Sequence, residues 1–443
     1  MVVAARFSLS SAPAPAPAGG APRRSPLITP VQDLGPVPPV PRAVTLPALY
    51  SYLQKVPDPR HRRGCRHPLP ALLALVCLAW LSGIHGYLPA ADWAAALPEA
   101  ERRALGFTRS QSPAASTLFE VLQALSWEAL ETELRAWLVA VQEALGPEAS
   151  APSPASTPSR PGRKRKAPAG DPAALALDGK ALRGSWRRGA EVAGLLAVVT
   201  HRLALTVAHA PMPTKEGELT AVRPLLKALI LEGLVVTVDA QFTQPDLAET
   251  ICARGGDYVM RVKGNQPSLL ASVQALLTPA HWEPGRRDST TTHEVGHGRV
   301  ETRQLVTHIL TDAEAADLEW PHARQVFVVI SRRHRVGKAP GRETRIYGVT
   351  SLGSAGPAGA DAARLLRLYR GHWTVENRAF WVRDVVLRED ASPVRIGNNV
   401  AVLASLRGAV LNLLRATQGP RLAKAIRQLN ANRPAALQLL GCP

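Results

Sequence analysis

Two short apolar runs, each followed by an aspartate, constrain the fold of this chain more than any other feature. Ala173–Leu177 precedes Asp178, and Leu234–Val238 precedes Asp239. Runs of this length and composition are typical of buried β-strands. A carboxylate at the end of a buried strand is costly to desolvate unless a partner compensates its charge. A divalent metal ion is the natural partner, so both aspartates are candidate metal ligands.

A third carboxylate, Glu376, lies in a different setting, a helical segment of charged and aromatic residues with the sequence RLYRGHWTVENRAFW. Glu376 follows Asp239 by 137 positions, and Asp239 follows Asp178 by 61. The acids therefore occur in the order Asp, Asp, Glu. Taken alone, each aspartate could equally be a turn former or a cap at the end of its strand.

The hydrophobic pattern from Asp171 onward predicts an α/β domain. Its elements follow the order strand, strand, strand, helix, strand, helix, strand, which is the order of a ribonuclease-H-like core with a mixed five-stranded sheet and flanking helices. A β-rich insertion over about residues 282–352 precedes a last long helix, Ala362–Val386, which carries Glu376. The predicted strands are Leu175–Asp178, Leu195–His201, Leu203–Ala208, Val235–Asp239 and Tyr258–Val262, and the predicted helices between them are Leu219–Leu231 and Asp246–Arg254.

Composition divides the rest of the chain. Residues 1–42 are rich in proline and alanine and are predicted to be disordered. Residues 43–145 predict a small helical domain, in which the apolar stretch Leu69–Ile84 is shorter than the ~20 residues that span a bilayer and is predicted to be a buried helix. Residues 146–172 form a proline-rich basic linker, either a solvated tether or a phosphate contact. The α/β domain is predicted over 173–417, followed by a C-terminal helix and tail over 418–443.

The charge balance indicates a polyanionic partner. The chain has 53 Lys and Arg against 35 Asp and Glu, a formal net charge of +18. Basic charge alone would also fit a ribosome-associated or membrane-surface protein. The four cysteines are too few and too scattered for a disulfide framework, which favours a reducing cytosol. Cys65 and His67 have no second Cys/His pair to complete a zinc site.

An ordered set of motifs identifies a family that the chain resembles. The sequence is similar to the DDE transposases of bacterial insertion sequences, specifically the H-repeat-associated, ISAs-type group. Each motif is weak by itself, but their order over residues 58–392 is specific. The motifs are DPRHRRGCRHPLPALLALVCLAWLSG (58–83), LALDGK (175–180), TKEGELTAV (214–222), VTVDAQFTQPDLAETICARGGDYVMRVKGNQ (236–266), HGRVETR (297–303), YGVTSL (347–352) and RGHWTVENRAFWVRDVVLREDAS (370–392).

This resemblance implies a two-metal site for phosphodiester chemistry. Asp178, Asp239 and Glu376 are the implied catalytic residues and metal ligands, with Asp178 bridging two Mg²⁺ ions and each of the other two completing one site. Mn²⁺ is expected to substitute for Mg²⁺. Asn377 is either a hydrogen-bond partner of Glu376 or a polar neighbour.

Basic residues near the acids are the predicted DNA contacts, although a solvated surface charge is the alternative for each of them. Contacts to phosphates would supply affinity and register without reading the base sequence. The predicted contact residues are Lys180, Arg183, Lys215, Lys263, Arg299, Arg303, Arg370, His372 and Arg383.

The segment around Glu376 departs from the family pattern. His372 stands where related transposases often have Arg, and Val382 where they have Lys. Phe380 and Arg383 stand where the closest group tends to have His and an apolar residue. In a continuous α-helix Arg383 would share a face with His372 and Glu376, so it is predicted to bind a DNA phosphate in place of the lysine; the alternative is a surface position. Trp373 and Trp381 are predicted to pack in the core, with base stacking as the alternative.

The function predicted from this resemblance is that of a DNA transposase. It would cleave phosphodiesters at element ends and transfer the strands, acting on double-stranded DNA at inverted-repeat ends and at the target. The helical domain over 43–145 is expected to bind DNA, and the protein to act as a homo-oligomer, away from membranes, in the cytoplasm and nucleoid. The alternatives are a ribonuclease-H-like nuclease without strand transfer and an inactivated descendant that only binds DNA.

Overall fold

The computed structural model describes most of the chain beyond residue 44. The described residues are 45–61, 63, 65–150, 173–182, 194–212, 218–278, 285–296, 298–335, 341, 343–354, 359–394, 398–419 and 421–442. The predictions for residues 1–42 and for most of the linker, including its basic cluster at 163–166, lie outside them.

A nine-stranded mixed sheet organises the α/β part of the protein. Its spatial order is β3-β2-β1-β4-β5-β9-β8-β7-β6. β1 runs parallel to β4, and β4 parallel to β5, whereas every other neighbouring pair is antiparallel. The strands are β1 (Ala174–Ala181), β2 (Gly194–Thr200), β3 (Thr206–Met212), β4 (Val235–Val238), β5 (Asp257–Val262), β6 (Arg287–Gly296), β7 (Arg299–Ile309), β8 (Gln325–Arg335) and β9 (Glu343–Thr350).

The predicted five-stranded sheet is too small. All five predicted strands are present as β1 to β5, but the insertion does not form a separate layer. Its last strand, β9, pairs with β5 from Val259 opposite Thr350 to Val262 opposite Tyr347. This pairing satisfies the backbone groups at the outer edge of β5, and it carries β8, β7 and β6 into the same sheet.

Two of the predicted strands differ from their predicted bounds by more than one residue. The third strand begins at Thr206 rather than Leu203, because residues 201–205 form the turn from β2, in which Ala204 adopts a positive φ of 59°. β1 continues past Asp178 to Ala181, with Asp178 opposite Ala197 of β2. Asp178 therefore lies at the end of the parallel pairing with β4 but inside the antiparallel pairing with β2.

Helices cover both faces of the sheet. On one face, α7 (Glu218–Lys227), α8 (Pro245–Cys252) and α9 (Pro267–Leu276) enclose a core that includes Leu177, Val236 and Val238. α10 (Asp312–Asp317) is a short helix between β7 and β8. On the opposite face lies the segment predicted as one continuous helix. It consists of α11 (Ala362–Gly371), a π-helical turn (Val375–Phe380) and α12 (Trp381–Val385).

The remaining helices, from both ends of the described chain, share one hydrophobic core. The predicted buried helix is α2, whose residues are buried except at Pro70. The single predicted C-terminal helix is two helices, because Asn432 ends the first and accepts a hydrogen bond from the Ala435 amide to begin the second. These helices are α1 (Leu49–Leu53), α2 (Leu69–Leu81), α3 (Tyr87–Ala95), α4 (Glu99–Ala104), α5 (Ala115–Ala124), α6 (Trp127–Ser150, kinked at Gly146), α13 (Asn399–Gln418), α14 (Leu422–Ala431) and α15 (Arg433–Leu440).

Candidate active site

The two aspartates come together at the end of the parallel strand pair β1 and β4. The pairing runs from Ala174 opposite Val235 to Leu177 opposite Val238. Asp178 and Asp239 are therefore the next residues on neighbouring strands, which are about 4.8 Å apart in a sheet. Because side chains alternate between the faces of a sheet, both aspartates lie on the face opposite Leu177 and Val238.

Local hydrogen bonds fix the backbone around each aspartate. Oδ1 of Asp239 accepts hydrogen bonds from the amides of Gln241 (2.9 Å) and Phe242 (3.4 Å), so the carboxylate holds the turn that ends β4. The hydroxyl of Thr243 contacts the carbonyl oxygens of Asp239 (2.9 Å) and Arg261 (2.7 Å). In β1, Oδ1 of Asp178 accepts from the amide of Gly179 at 2.8 Å. Both carboxylates keep part of their surface open to solvent.

Glu376 lies on the helical segment that covers the same face. The buried residues of its π-helical turn, Val375, Ala379 and Phe380, pack against a patch of the sheet that includes Ala176. Ala176 and Asp178 are two residues apart on β1 and so share that face. Glu376 itself is exposed, and partial desolvation raises the pKa of its carboxyl group. Glu376 therefore lies on the segment that covers the sheet face on which the two aspartates lie, and its role as a metal ligand stays a prediction.

The π-helical turn changes which residues share a stripe with Glu376. The amide of Trp381 donates to the carbonyl oxygen of Glu376, five residues earlier. In an α-helix this bond would join residues four apart, and the wider turn shifts the rotational position of every residue after it. Trp381 consequently keeps 40% of its surface exposed. The prediction that Trp381 packs in the core is wrong.

His372 hydrogen-bonds to a chain of buried side chains beneath it. Its Nδ1 lies 3.1 Å from Oγ1 of Thr237 on β4, and the same hydroxyl lies 2.9 Å from Nε2 of His201 and 3.2 Å from the Leu175 carbonyl. The Thr237 hydroxyl has one hydrogen, which it donates to the Leu175 carbonyl. The imidazoles of His201 and His372 therefore both donate to the hydroxyl oxygen of Thr237. Burial lowers the pKa of His372 to about 4, although Asp239 opposes that shift. His372 keeps part of its surface exposed, so the predicted DNA contact at this residue stays a prediction.

Lys180 is buried among carboxylates. Its side chain is 7% exposed, and its Nζ lies 3.2 Å from Glu389 and 3.3 Å from Asp390, with a third ion pair to Asp384. Three acidic partners leave this ammonium no open side for a phosphate. The predicted DNA contact at Lys180 is therefore wrong in this structure.

Arg383 is also buried, with 0% of its surface exposed. Its Nε and Nη2 donate to the two carboxylate oxygens of Glu389 at 2.9 and 2.6 Å. Nη1 lies 2.6 Å from Nε2 of His209, and Nη2 also donates to the Ala404 carbonyl at 2.9 Å. The prediction placed Arg383 on the face of Glu376 by assuming a regular α-helix, which the π-helical turn interrupts. The predicted phosphate contact is wrong for this reason.

The predicted contacts in the insertion and in α11 have mixed outcomes. Arg303 is 3% exposed and pairs with Glu294 (3.0 Å) and Glu301 (2.6 Å), so its predicted role is corrected as well. Arg370 pairs with Glu294 at 2.7 Å, and its side chain is 12% exposed. Lys263 is exposed and Arg299 partly exposed, so both stay predictions. The hydrogen bond from Asn377 to Glu376 also stays a prediction. Arg183 and Lys215 lie outside the described residues.

Sequence reasoning missed the acid that organises the buried charges. Glu389 is 3% exposed and faces Arg383, Lys180 and Arg407. Burial opposes its ionisation, but these cations hold the pKa of Glu389 well below its usual range. The sequence REDAS (388–392) follows a predicted helix and contains two acids. Acids next to a buried helix need cationic partners, and this was the signal in the sequence that could have indicated a buried ion-pair network. The partners of Glu389 come from distant segments and are not readable from its neighbours.

The donor chemistry of the three acids fits a hard divalent cation. Mg²⁺ prefers oxygen ligands and is usually held by one or two carboxylates together with water and substrate phosphates. The adjacent Asp178 and Asp239 supply such a pair. Among the described residues, no group of three or more His, Cys, Asp or Glu side chains is arranged to hold a metal ion. The two aspartates thus fit the core of a site that substrate oxygens and Glu376 would complete.

Comparison with known families agrees with this geometry. A family model described as "Transposase DDE domain" matches residues 169–413, which is more than half of the 443 residues. This chain belongs to the DDE transposase family. A second model, described as "DDE_Tnp_1-associated", matches residues 50–138 within the N-terminal helices. The DDE match covers all nine strands and most of α13.

Relatives of this DDE transposase confirm the predicted resemblance to the H-repeat-associated group. The "H repeat-associated putative transposase YhhI" of Escherichia coli strain K12 is 32% identical over 251 residues, 54% of this chain and 63% of the relative. The "Putative transposase YncI" of Escherichia coli O157:H7 is 26% identical over 377 residues, 84% of this chain and 88% of the relative. A piggyBac transposase synaptic complex with hairpin DNA aligns at a TM-score of 0.38 and 10% identity over 83% of this chain and 71% of that one.

Proposed function

We propose that this DDE transposase cleaves phosphodiesters at the ends of an insertion sequence and transfers the strands to a target, with Mg²⁺ as cofactor. The observation that carries the proposal is the placement of Asp178 and Asp239 side by side on neighbouring parallel strands, with Glu376 on the helical segment that covers the same face. The order β3-β2-β1-β4-β5 and its strand directions support a ribonuclease-H-like core within the larger sheet.

Asp178, Asp239 and Glu376 are the proposed ligands of the metal ions. Mg²⁺ held by these carboxylates would supply activation of the attacking oxygen and neutralisation of the leaving oxygen of the phosphodiester. The protein's part is to hold the carboxylates oriented. The hydrogen bonds from the amides of Gln241 and Phe242 do this for the carboxylate of Asp239. The exposed position of Glu376 leaves its carboxylate accessible to DNA and solvent.

Double-stranded DNA is the proposed partner, with Lys263 and Arg299 as the accessible phosphate contacts among the described candidates. The N-terminal helices are a proposed second DNA contact, and a homo-oligomer would bring two element ends together. The corrected residues Lys180, Arg303 and Arg383 have no proposed contact with DNA, whereas a contact at His372 stays a prediction.

Isosteric amides at the three acids test the proposal. Asp178→Asn, Asp239→Asn and Glu376→Gln should each abolish cleavage of element-end DNA in Mg²⁺ while retaining DNA binding, because each removes one charged ligand at nearly constant shape. Asp312→Asn, at an exposed acid of α10, is the matched control and should cleave normally. Wild-type cleavage by any of the three variants would remove that residue from the site.

A strand-transfer assay separates the proposed activity from that of a nuclease. Pre-cleaved ends with a 3′-hydroxyl, supplied together with a target duplex, should be joined to it by the wild-type protein and not by Asp178→Asn. Cleavage without joining would replace the transposase proposal with the nuclease alternative.

A further inference from the structure

The segment that carries Glu376 is tied to the sheet on both sides of the glutamate. The first tie is at Thr237, which is two residues before Asp239 on the same face of the sheet. Thr237 is 1% exposed, and its hydroxyl joins His372, one helical turn before Glu376, to His201 at the end of β2. Thr237 thereby connects the strand of one aspartate directly to the helix of the glutamate.

The second tie is at Lys180, which is two residues after Asp178, again on the same face. Its ammonium pairs with Asp384 of α12 and with Glu389 and Asp390, which follow that helix. Two residues along a strand span roughly 6–7 Å. Each aspartate thus has a neighbour on its own strand, at that short distance, that binds the segment carrying Glu376. Thr237 contacts this segment before Glu376, and Lys180 contacts it after Glu376.

Buried partners keep the second tie in place. Glu389 receives two hydrogen bonds from Arg383 and lies 3.7 Å from Arg407 of α13. Arg383 also contacts His209 of β3, whose amide donates to Glu131 of α6 at 2.9 Å. A charge buried in this way is costly to leave unpaired, so the network resists any displacement of Lys180 from its acids.

We propose that Thr237 and Lys180 are positioning residues that set Glu376 at a fixed place relative to Asp239 and Asp178. They act through the helical segment and do not touch the reacting atoms. The inference rests on the proposed function, because it assigns a role in the geometry of the same metal-binding carboxylates. The π-helical turn lies between the two ties, so its rotational position is set at both ends.

A divalent-ion titration tests this role without relying on turnover. Mn²⁺ binding to the full-length protein is measured by electron paramagnetic resonance, with the free ion as the signal. Thr237→Val removes the bridging hydroxyl and should weaken Mn²⁺ binding about tenfold, the lower end of the effect of outer-shell partners on metal affinity. Thr237→Ser keeps the hydroxyl and should restore binding. Thr307→Val is the matched control, because Thr307 is an equally buried threonine whose hydroxyl bonds within the insertion.

The Lys180 tie needs a variant that leaves the net charge of the buried network unchanged. The double substitution Lys180→Met with Asp384→Asn removes one charge of each sign and should weaken Mn²⁺ binding to a similar extent. The matched control is Arg303→Met with Glu301→Gln, which removes a buried ion pair from the insertion. Thermal unfolding curves of all variants identify a temperature at which every variant is folded. Mn²⁺ binding is compared at that temperature.

Three outcomes separate the inference from the proposed function. Weaker Mn²⁺ binding in both tie variants, with both controls unchanged, supports the positioning role. Unchanged binding in the tie variants, while Asp178→Asn abolishes it, overturns the positioning role and leaves the function intact. Unchanged binding in Asp178→Asn itself overturns the proposed metal site and the inference with it.

Discussion

At the scale of single residues, burial decides which basic side chains can meet DNA. Lys180, Arg303 and Arg383 looked alike in sequence, as cations near candidate catalytic acids. Each has less than a tenth of its surface exposed, and each is paired with carboxylates. Burial also explains two residues that depart from the family pattern, because Phe380 and Val382 are buried in apolar clusters. These departures therefore concern packing against the sheet and the helical core.

Arg383 gives the sharpest test at this scale. Arg383→Leu should lower the free energy of unfolding by about 3 kcal/mol, because Glu389 loses its bidentate partner in a buried site and keeps only Lys180 and Arg407. Affinity for DNA and its salt dependence should not change. Urea denaturation and a DNA-binding titration measure the two effects.

The control for Arg383 is an exposed ion pair. Arg345→Leu removes a surface contact to Glu343 and should cost less than about 1 kcal/mol. A loss of DNA affinity in Arg383→Leu with unchanged stability would restore the phosphate-contact role that its burial argues against.

At the scale of elements, α11 can approach the turn after β2 closely because Gly371, its last residue, has no side chain. A Cβ on Gly371 would lie 2.1 Å from Nδ1 of His201. Gly371→Ala should therefore push the helix away from the sheet, with a loss of about 1–3 kcal/mol from overpacking and a loss of cleavage. At Gly264 an added Cβ would meet nothing within 4 Å, so Gly264→Ala should leave both the stability and the cleavage rate unchanged. Differential scanning calorimetry and a cleavage assay provide the comparison, and full cleavage by Gly371→Ala would show that this close approach is not needed.

The His201–Thr237–His372 chain should also make stability depend on pH. Burial lowers the pKa of His201 to about 3, and His372, the residue that follows α11, faces it. A histidine whose folded pKa is depressed stabilises the fold above its unfolded pKa of about 6.5, and this contribution is lost as the pH falls toward the folded value. Unfolding free energy should thus fall by up to about 1.4 kcal/mol per pH unit for this one proton between pH 6 and 4. His201→Gln should flatten that slope in urea denaturation, and an identical slope in the variant would exclude His201 as its source.

At the scale of the whole molecule, the charge of +18 predicts a phosphate-dominated interface with DNA. Binding should weaken steeply between 50 and 200 mM salt because neutralised phosphates release their counterions. Lys263→Met should reduce the slope of log affinity against log salt by about 1. Fluorescence anisotropy over this salt range measures the slopes, with Asp312→Asn as the control for a charge change away from the site. A flat response would argue against DNA as the main partner of this basic surface.

Within the described residues from 45 onward, contacts cross the boundaries between the predicted segments. β9 connects the insertion to β5, while α13 packs with the N-terminal helices in one core. Hydrogen bonds also join these regions, such as that from Trp127 to Ser405 at 3.1 Å. The helices before the sheet are therefore packed against the helices after it, which a division into consecutive segments did not anticipate.

The sequence alone determined the order of the elements and the positions of the acids. Apolar runs, glycine and proline signals and the spacing of Asp178, Asp239 and Glu376 are local properties, and β4 and β5 lie within one residue of their predicted bounds. Tertiary structure alone decided which charges pair, how many strands the sheet has and how the Glu376 helix is wound. Lys180 and Glu389 are 209 positions apart. Their pairing depends on packing between distant segments, and neither residue type nor spacing distinguishes a buried cation from a surface one.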